Sequence, residues 1–201
     1  MYARLVTIRG TDVRAVVKFI AERIIPIASG HHGFEHVGVS GDPAQRIVSI
    51  VSVWDSMAHL EASDEAIAKL REEGLGTYGG EASVGVFEQT IWERIGSGPV
   101  PGCPLRIVAY SVDPAGVDAN VKWFESDVLP GITATPGVTA VRHLINRETG
   151  EGRVATVYSD EAALKAAEEA RAERMAASRA RGVTFGEELR LQILSFHAAA
   201  S

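Results

Sequence analysis

The chain has 201 residues, 46% of them hydrophobic and 23% charged, and a formal net charge of −6. This length is sufficient for one or two domains with buried cores. An acidic chain lacks the basic footprint that nucleic acids and anionic membranes bind, and no run approaches the roughly 18 apolar residues of a membrane span. We therefore expect neither a nucleic-acid nor a membrane partner.

The first residues and the cysteine content favour a reducing compartment. Residues 1–5 lead directly into a strand-like pattern, without the layout of a signal peptide. Cys103 is the single cysteine, so an internal disulfide is excluded. We expect a cytoplasmic protein.

Hydrophobic periodicity predicts the order β-α-β-β-α-β for the first half. Residues 4–9 alternate in the manner of a strand, and the apolar residues of 13–24 share one helical face. Pro26 is predicted to end this helix, because proline disfavours a helical conformation at the residue before it. The remaining elements are predicted as strands at 37–39, 47–54 and 84–92, a helix at 57–73 and a loop at 74–80.

Residues 96–104 form the clearest linker, with three glycines and three prolines that prevent regular structure. The second half then repeats the first at a shift of 104 residues. The shift aligns the proline after the first helix, the glycine before the second strand and the aromatic residue at the end of the third strand: Pro26 with Pro130, Gly33 with Gly137, Trp54 with Tyr158. We predict a tandem duplication with units at 1–95 and 105–201.

The strand Val51-Ser52-Val53-Trp54-Asp55-Ser56, with Ala58, Leu60 and Ser63 after it, resembles the antibiotic biosynthesis monooxygenase domain of the dimeric α+β barrel superfamily. This resemblance implies an α+β fold of two ferredoxin-like units, whose sheets face each other in one barrel within the chain. Members of the family include cofactor-free oxygenases of aromatic polyketides, haem-degrading oxygenases and proteins of undefined activity. In the catalytic members, the ligand lies between the helices and the sheet, and the strand tryptophan lines its cleft.

The resemblance therefore places a candidate binding site in the first unit. Trp54 is predicted to wall the cleft, with Ile50 and Ser52 on the same strand face, and Tyr78 is a further contact from the 74–80 loop, which is predicted to act as a flap. The alternative is that Trp54 is a core aromatic residue with a structural role. Thr156 and Tyr158 are the corresponding residues of the second half.

His32, His36 and His59 are the candidate acid–base residues, because imidazole titrates near neutral pH. The alternatives are a solvated loop for the first two and a surface position for the third. His32 and His36 have a spacing that could bind a metal on a helix, but Gly33 between them favours a loop, so we predict no metal. His143 lies on a second-half strand and has no assigned role.

The segment 74–79 matches the pattern G-x-G-x-x-G, but it follows a predicted helix instead of opening one, so we expect no dinucleotide. The leading hypothesis is a cofactor-independent monooxygenase that acts on an electron-rich aromatic molecule such as a phenol or hydroquinone. One alternative is a haem-binding or haem-degrading relative, against which stands Leu70, where those relatives carry a histidine. The other is a non-catalytic, ligand-binding or stress-related barrel. A homodimer is compatible with each of these hypotheses.

Overall fold

The computed structural model describes residues 1–199 of the chain. The strands are β1 (Tyr2–Arg9), β2 (Phe34–Asp42), β3 (Ile47–Trp54), β4 (Glu81–Arg94), β5 (Pro104–Ser111), β6 (Val138–Ile145), β7 (Glu151–Tyr158) and β8 (Thr184–Ala198). The α-helices are α1 (Val13–Phe19), α2 (Ile25–Gly30), α3 (Met57–Ala62), α4 (Asp64–Tyr78), α5 (Val117–Trp123), α6 (Leu129–Thr133), α7 (Glu161–Ala166) and α8 (Glu168–Ala180). The predicted α+β class is confirmed, and none of these helices is long and apolar enough to cross a membrane.

Contacts divide the chain into two compact units, each described separately below. Unit 1 comprises Met1–Phe87 and the segment from Gln192 onward, and unit 2 comprises Glu88–Leu191. The division falls inside β4 and β8, because each of these long strands contributes its first part to one unit and its second part to the other. The compact units therefore differ from the ranges 1–95 and 105–201 that the sequence repeat predicts.

In unit 1, β3 is the central strand of an antiparallel sheet. It pairs with β1 on one side, where Tyr2 faces Trp54, and with β2 on the other, where Val37 faces Ser52. The last part of β8 adds to the free edge of β2, with His36 opposite Ala198. The resulting strand order is β1-β3-β2-β8.

Unit 2 has the same arrangement around β7. This strand pairs with β5, where Arg106 faces Thr156, and with β6, where Val141 also faces Thr156. The second part of β4 adds to the edge of β6, and the strand order is β5-β7-β6-β4. Every pairing is antiparallel, so hydrophobic residues alternate between the two faces of each sheet.

The first helix of each unit contains a wide π-helical turn, and this corrects the prediction for Pro26. The helix does not end there: a π turn spans Ile20–Ile24, and α2 continues through Pro26 to Gly30. Proline removes one backbone donor and crowds the carbonyl four residues earlier. The Ile25 amide donates to the carbonyl of Ile20, five residues back, and this wider turn accommodates the ring. An equivalent π turn, Phe124–Val128, precedes Pro130.

The predicted loop at 74–80 is mostly helical, because α4 extends to Tyr78. Gly74 is buried inside this helix, and a Cβ added to it would lie 3.0 Å from the Phe19 ring. The glycine therefore allows α4 to approach α1 closely, and the expected flap is a fixed part of the helical layer. Gly33 and Gly137, which the sequence repeat aligns, have the same backbone conformation, with positive φ of 77° and 83°.

We expect Gly33→Ala to destabilise the protein more than Gly10→Ala. Both glycines have φ near 75°, where a side chain costs roughly 1–2 kcal/mol. A Cβ at Gly33 would also lie 2.3 Å from Nδ1 of His59, whereas nothing lies within 4 Å of a Cβ at Gly10. Urea denaturation of both variants measures the difference, and equal losses in the free energy of unfolding would show that the His59 contact relaxes at no cost.

Candidate functional site

Unit 1 contains a cavity of about 50 Å³ between its helices and its sheet. The π turn of the first helix contributes Ile20 and Ile24 to the wall, which gives this irregular turn a place in the site. Most other lining side chains are apolar. They come from β1, β2, β3, α1, α2 and α4: Val6, Ile8, Val16, Phe19, Ile25, Ala28, Val37, Ile50, Trp54, Ile67 and Leu75.

The structure places three of the predicted binding residues along this cavity. Trp54, Ile50 and Ser52 share one face of β3 and all three contribute to the lining. Trp54 has no solvent exposure, and its indole Nε1 donates to the Ser52 hydroxyl at 3.4 Å. Phe34 packs edge-on against the indole, with ring centroids 5.4 Å apart. The tryptophan is therefore both a core aromatic residue and part of the cavity wall.

Tyr78, the fourth predicted contact, lies at the end of α4 and does not line the cavity. Its ring packs edge-on against Phe19, with centroids 5.7 Å apart, and its carbonyl accepts a hydrogen bond from the Thr11 hydroxyl. Phe19 lines the cavity, and Tyr78 packs against Phe19 instead of contacting the cavity as a flap residue would.

The three candidate histidines also lie outside the cavity lining. His36 is buried on β2, and its ring lies 5.2 Å from that of Phe196. His32 and His59 form a pair beyond the end of β3, with ring centroids 4.5 Å apart. Nδ1 of His59 lies 2.5 Å from Oδ1 of Asp55, and this contact holds the pKa of the Asp55 carboxyl below its usual range. Their acid–base role stays a prediction.

Arg4 is the cavity residue that most departs from an ordinary core. Its side chain is 1% exposed, and it donates to the Leu60 carbonyl at 2.8 Å and to the Ser63 hydroxyl at 3.3 Å. It also pairs with Asp64 at 3.0 Å. Burial lowers the pKa of the Arg4 guanidinium, Asp64 opposes that change, and the neighbouring positive charge of Arg71 adds to it. Arginine nevertheless stays charged in proteins.

Arg71, on α4, is the second charged residue of this cavity wall, and it has no carboxylate partner among residues 1–199. Its Nη1 atom is buried without a hydrogen-bond partner, as is Nε of Arg4. A buried guanidinium donor without a partner is costly. Two nearby guanidiniums share one counter-charge, Asp64, so the unit 1 cavity can accept a negatively charged group.

Unit 2 contains a cavity of about 90 Å³ in the equivalent position. Thr156 and Tyr158, which the sequence identifies as the counterparts of the first-half residues, both line it. Arg106 on β5 takes the place of Arg4: it is 2% exposed, pairs with Glu168 and stands opposite Thr156, as Arg4 stands opposite Ser52. The π turn again contributes, through Phe124 and Val128.

His143 forms a buried polar chain beside the unit 2 cavity. Its Nε2 atom lies 2.5 Å from the Tyr110 hydroxyl, and its Nδ1 atom lies 2.5 Å from the Thr90 hydroxyl. The Phe124 ring stacks on the imidazole at 4.3 Å. Burial lowers the pKa of His143 to about 4 and raises that of the Tyr110 phenol. Both groups are therefore neutral at pH 7, and the histidine fixes the direction of the tyrosine hydroxyl.

Sequence reasoning missed the buried arginines, although a signal is present. Arg4 lies on the same inward strand face as Val6 and Ile8, and charged side chains rarely occupy such a face. The repeat hides its counterpart, because the shift of 104 aligns Arg4 with Val108, whereas the strand register makes Arg106 equivalent at a shift of 102.

Comparison with known proteins assigns the fold. No family model matches the chain. An uncharacterized protein of Mycobacterium tuberculosis (strain ATCC 25618 / H37Rv) is 24% identical over 152 residues, which cover 75% of this chain and 67% of that protein.

Solved structures match over almost the whole chain. An anthrone oxidase-like protein superposes with a TM-score of 0.67 at 18% identity, covering 100% of this chain and 94% of the other. A ferredoxin-fold protein of Listeria monocytogenes 4b F2365, related to antibiotic biosynthesis monooxygenases, gives 0.57 at 8% identity, with coverages of 96% and 95%. A heme-degrading enzyme of Listeria monocytogenes gives 0.55 at 6% identity, with coverages of 96% and 98%. The resemblance expected from the sequence is confirmed at the level of the fold, which this chain shares with monooxygenase-like ferredoxin-fold proteins.

The depressed pKa of His143 predicts a loss of stability in acid. The unfolded chain binds a proton near pH 6.5, whereas the folded chain keeps the imidazole neutral down to about pH 4. Between these values the unfolded state holds more protons, so the free energy of unfolding falls as the pH falls, by about 3 kcal/mol in total. Urea denaturation at several pH values measures this slope.

His143→Gln should remove that slope, because an amide does not titrate and can still bond Thr90 and Tyr110. His59→Gln is the matched control, because it makes the same substitution at a histidine whose side chain is 32% exposed. A slope that persists in His143→Gln would assign the acid sensitivity to another group.

Proposed function

We propose that the unit 1 cavity is the active site of a cofactor-independent monooxygenase, whose substrate is an electron-rich phenol. The observation that carries this proposal is the unpartnered guanidinium of Arg71 beside Arg4 in an otherwise apolar enclosure. The apolar walls suit an aromatic ring, and the two positive charges suit an oxygen anion.

The arginines would act on the protonation state of the substrate. A positive charge within a few ångströms lowers the pKa of an acid, and low-dielectric surroundings strengthen this effect. A phenol bound against Arg71 would therefore lose its proton to water more readily than it does in solution. The phenolate formed is a much stronger electron donor than the phenol, which is the form that reaction with dioxygen requires.

The reaction balances without an external reductant. A phenol that loses two hydrogens and gains one oxygen atom becomes a quinone, and the substrate supplies all four electrons that dioxygen takes up. One oxygen atom enters the product, and the other leaves as water with the two hydrogens. The chain would contribute orientation through Trp54 and Ile50, and exclusion of water by the apolar walls.

The similar structures support the class of reaction through their descriptions, which include an anthrone oxidase-like protein and a protein related to antibiotic biosynthesis monooxygenases. The similarity to a heme-degrading enzyme supports the haem-binding alternative. Along the unit 1 cavity, the described lining includes no histidine, and Leu70 does not contribute to it. Haem ligation there would need another donor.

We also propose that the two units arose by tandem duplication and that their sheets form one barrel within the chain. The paired π turns at a shift of 104, each followed by a proline, support a common origin, as do Gly33 and Gly137 with positive φ.

Oxygen uptake tests the proposed reaction. The purified chain is supplied with phenols and hydroquinones of increasing electron density, and oxygen consumption and quinone formation are measured together. We expect one dioxygen consumed per quinone made from a phenol and, with ¹⁸O₂, one labelled oxygen atom in that quinone. Equimolar hydrogen peroxide would indicate an oxidase instead, and a Soret shift with hemin at one equivalent would favour the haem alternative.

Arg71→Gln should lower kcat/KM for the phenol by about tenfold to a hundredfold, because a charged hydrogen bond contributes roughly 1.5–3 kcal/mol. Lys69→Gln is the control: it removes the same charge from the same helix, but Lys69 is exposed and outside the cavity. Equal kcat/KM in the two variants would show that Arg71 does not contribute to the reaction.

Trp54→Ala and Tyr158→Ala should differ in phenol binding, although each removes a buried aromatic ring at a cost of about 3–5 kcal/mol of stability. Trp54→Ala should abolish binding by calorimetry, because it opens the unit 1 wall. Tyr158→Ala lies in unit 2 and should retain it. Loss of binding only in Tyr158→Ala would move the phenol site to unit 2.

A further inference from the structure

The unit 2 cavity has the properties of a binding site, although the sequence analysis places the candidate site in the first unit. Its volume is about 90 Å³, compared with about 50 Å³ for the unit 1 cavity. Its aromatic residues occupy the same places as those of unit 1 but differ in type, because Trp123 on α5 corresponds to Phe19 on α1, and Tyr158 on β7 corresponds to Trp54 on β3. A cavity that had lost its function would be expected to fill with larger side chains, since voids destabilise a core.

The charges along this wall are all positive. In the described chain, the charged residues that line the cavity are Arg106, Arg171 and Arg174. Glu168 and Glu188 lie behind them, outside the lining.

Two nitrogen atoms of the Arg106 guanidinium are buried without a hydrogen-bond partner. Its Nη2 atom bonds Glu168, whereas Nε lies 3.2 Å from Glu188 without a hydrogen bond and Nη1 has no partner. The same two carboxylates also pair with Arg171 and Arg190, and the negative charge of Glu161 acts on Arg190 as well. Arg106 therefore shares both of its carboxylate partners with other guanidiniums.

Arg174 adds a second positive charge, which forms no ion pair within the described residues, although Glu173 acts on it electrostatically. Its guanidinium donates through Nη1 to the neutral Gly131 carbonyl at 3.3 Å, and burial lowers its pKa. Tyr110 offers no compensating anion, because its phenol is neutral and its hydroxyl is held by His143. A partly buried guanidinium pair in apolar surroundings calls for a negative ligand group.

We propose that the unit 2 cavity is a second ligand site, which binds an aromatic carboxylate through Arg106 and Arg174 independently of the oxygenase site in unit 1. The apolar body of the ligand would lie against Phe124, Val128 and Met175, and its carboxylate would accept from the free Nη1 of Arg106. The two units would thus recognise two different classes of aromatic molecule.

The positions of the tryptophans allow ligand binding at each cavity to be followed in the intact chain. The three indoles are Trp123 at the unit 2 cavity, Trp54 at the unit 1 cavity, and Trp92, which packs under Arg142. In the ¹⁵N-labelled protein their side-chain N–H signals are assigned through single Trp→Phe variants. The probes are 2-naphthoate and its uncharged analogue 2-naphthamide, which have the same ring and differ in the carboxylate.

We expect 2-naphthoate to shift the Trp123 signal in a saturable manner, and 2-naphthamide to need at least tenfold higher concentration. Arg174→Gln should weaken naphthoate binding about tenfold or more, and the exposed Lys165→Gln should not. Equal affinity for the two probes, or naphthoate shifts at Trp54 alone, would overturn the proposal. The probe comparison uses the unaltered chain and needs no oxygen uptake, so it fails or succeeds separately from the oxygenase activity.

Discussion

The constraint on which both sites depend is the burial of one arginine on the first strand of each unit. Arg4 and Arg106 stand on the inward face of β1 and β5, where the rest of the wall is apolar. A guanidinium in such a place is stabilised by hydrogen bonds and by a paired negative charge. The start of the helix after the tryptophan or tyrosine strand supplies the partners: Leu60, Ser63 and Asp64 in unit 1, and Glu168 in unit 2.

This requirement explains why the helical layer is built from short segments. The break between α3 and α4 exposes the Leu60 carbonyl to Arg4, and the Ser63 hydroxyl at the break also donates to that carbonyl. The π turn on the opposite side widens the first helix where the cavity wall needs Ile20 and Ile24.

The elements that could be predicted from the sequence are those with strong local periodicity. The strand at 47–54 shows alternation and β-branched residues, and Ser56 caps the next helix through a bond from the His59 amide, so both were identifiable. The glycines at 74 and 76 indicated a loop, but tertiary packing of Gly74 on Phe19 outweighs their low helix propensity.

The candidate site was predictable in part, for a similar reason. Trp54, Ile50 and Ser52 share a strand face, so their common position along the cavity follows from the two-residue repeat of a strand. The histidines were chosen for their chemistry, and chemistry alone does not show which face a residue occupies. The arginines were missed because their role depends on contacts between residues about 60 positions apart, such as Arg4 with Ser63.

The strands β4 and β8 each belong to both units, which limits how the chain can be divided. β4 begins in unit 1 and ends paired with β6 of unit 2, whereas β8 begins in unit 2 and ends paired with β2 of unit 1. The backbone therefore passes from one unit to the other within a strand. Cleavage in the 96–103 connection would leave two fragments still joined by both ladders. Expressing either half alone would deprive its sheet of an edge strand and leave its own last strand half unpaired. Each half therefore depends on the other for a complete sheet.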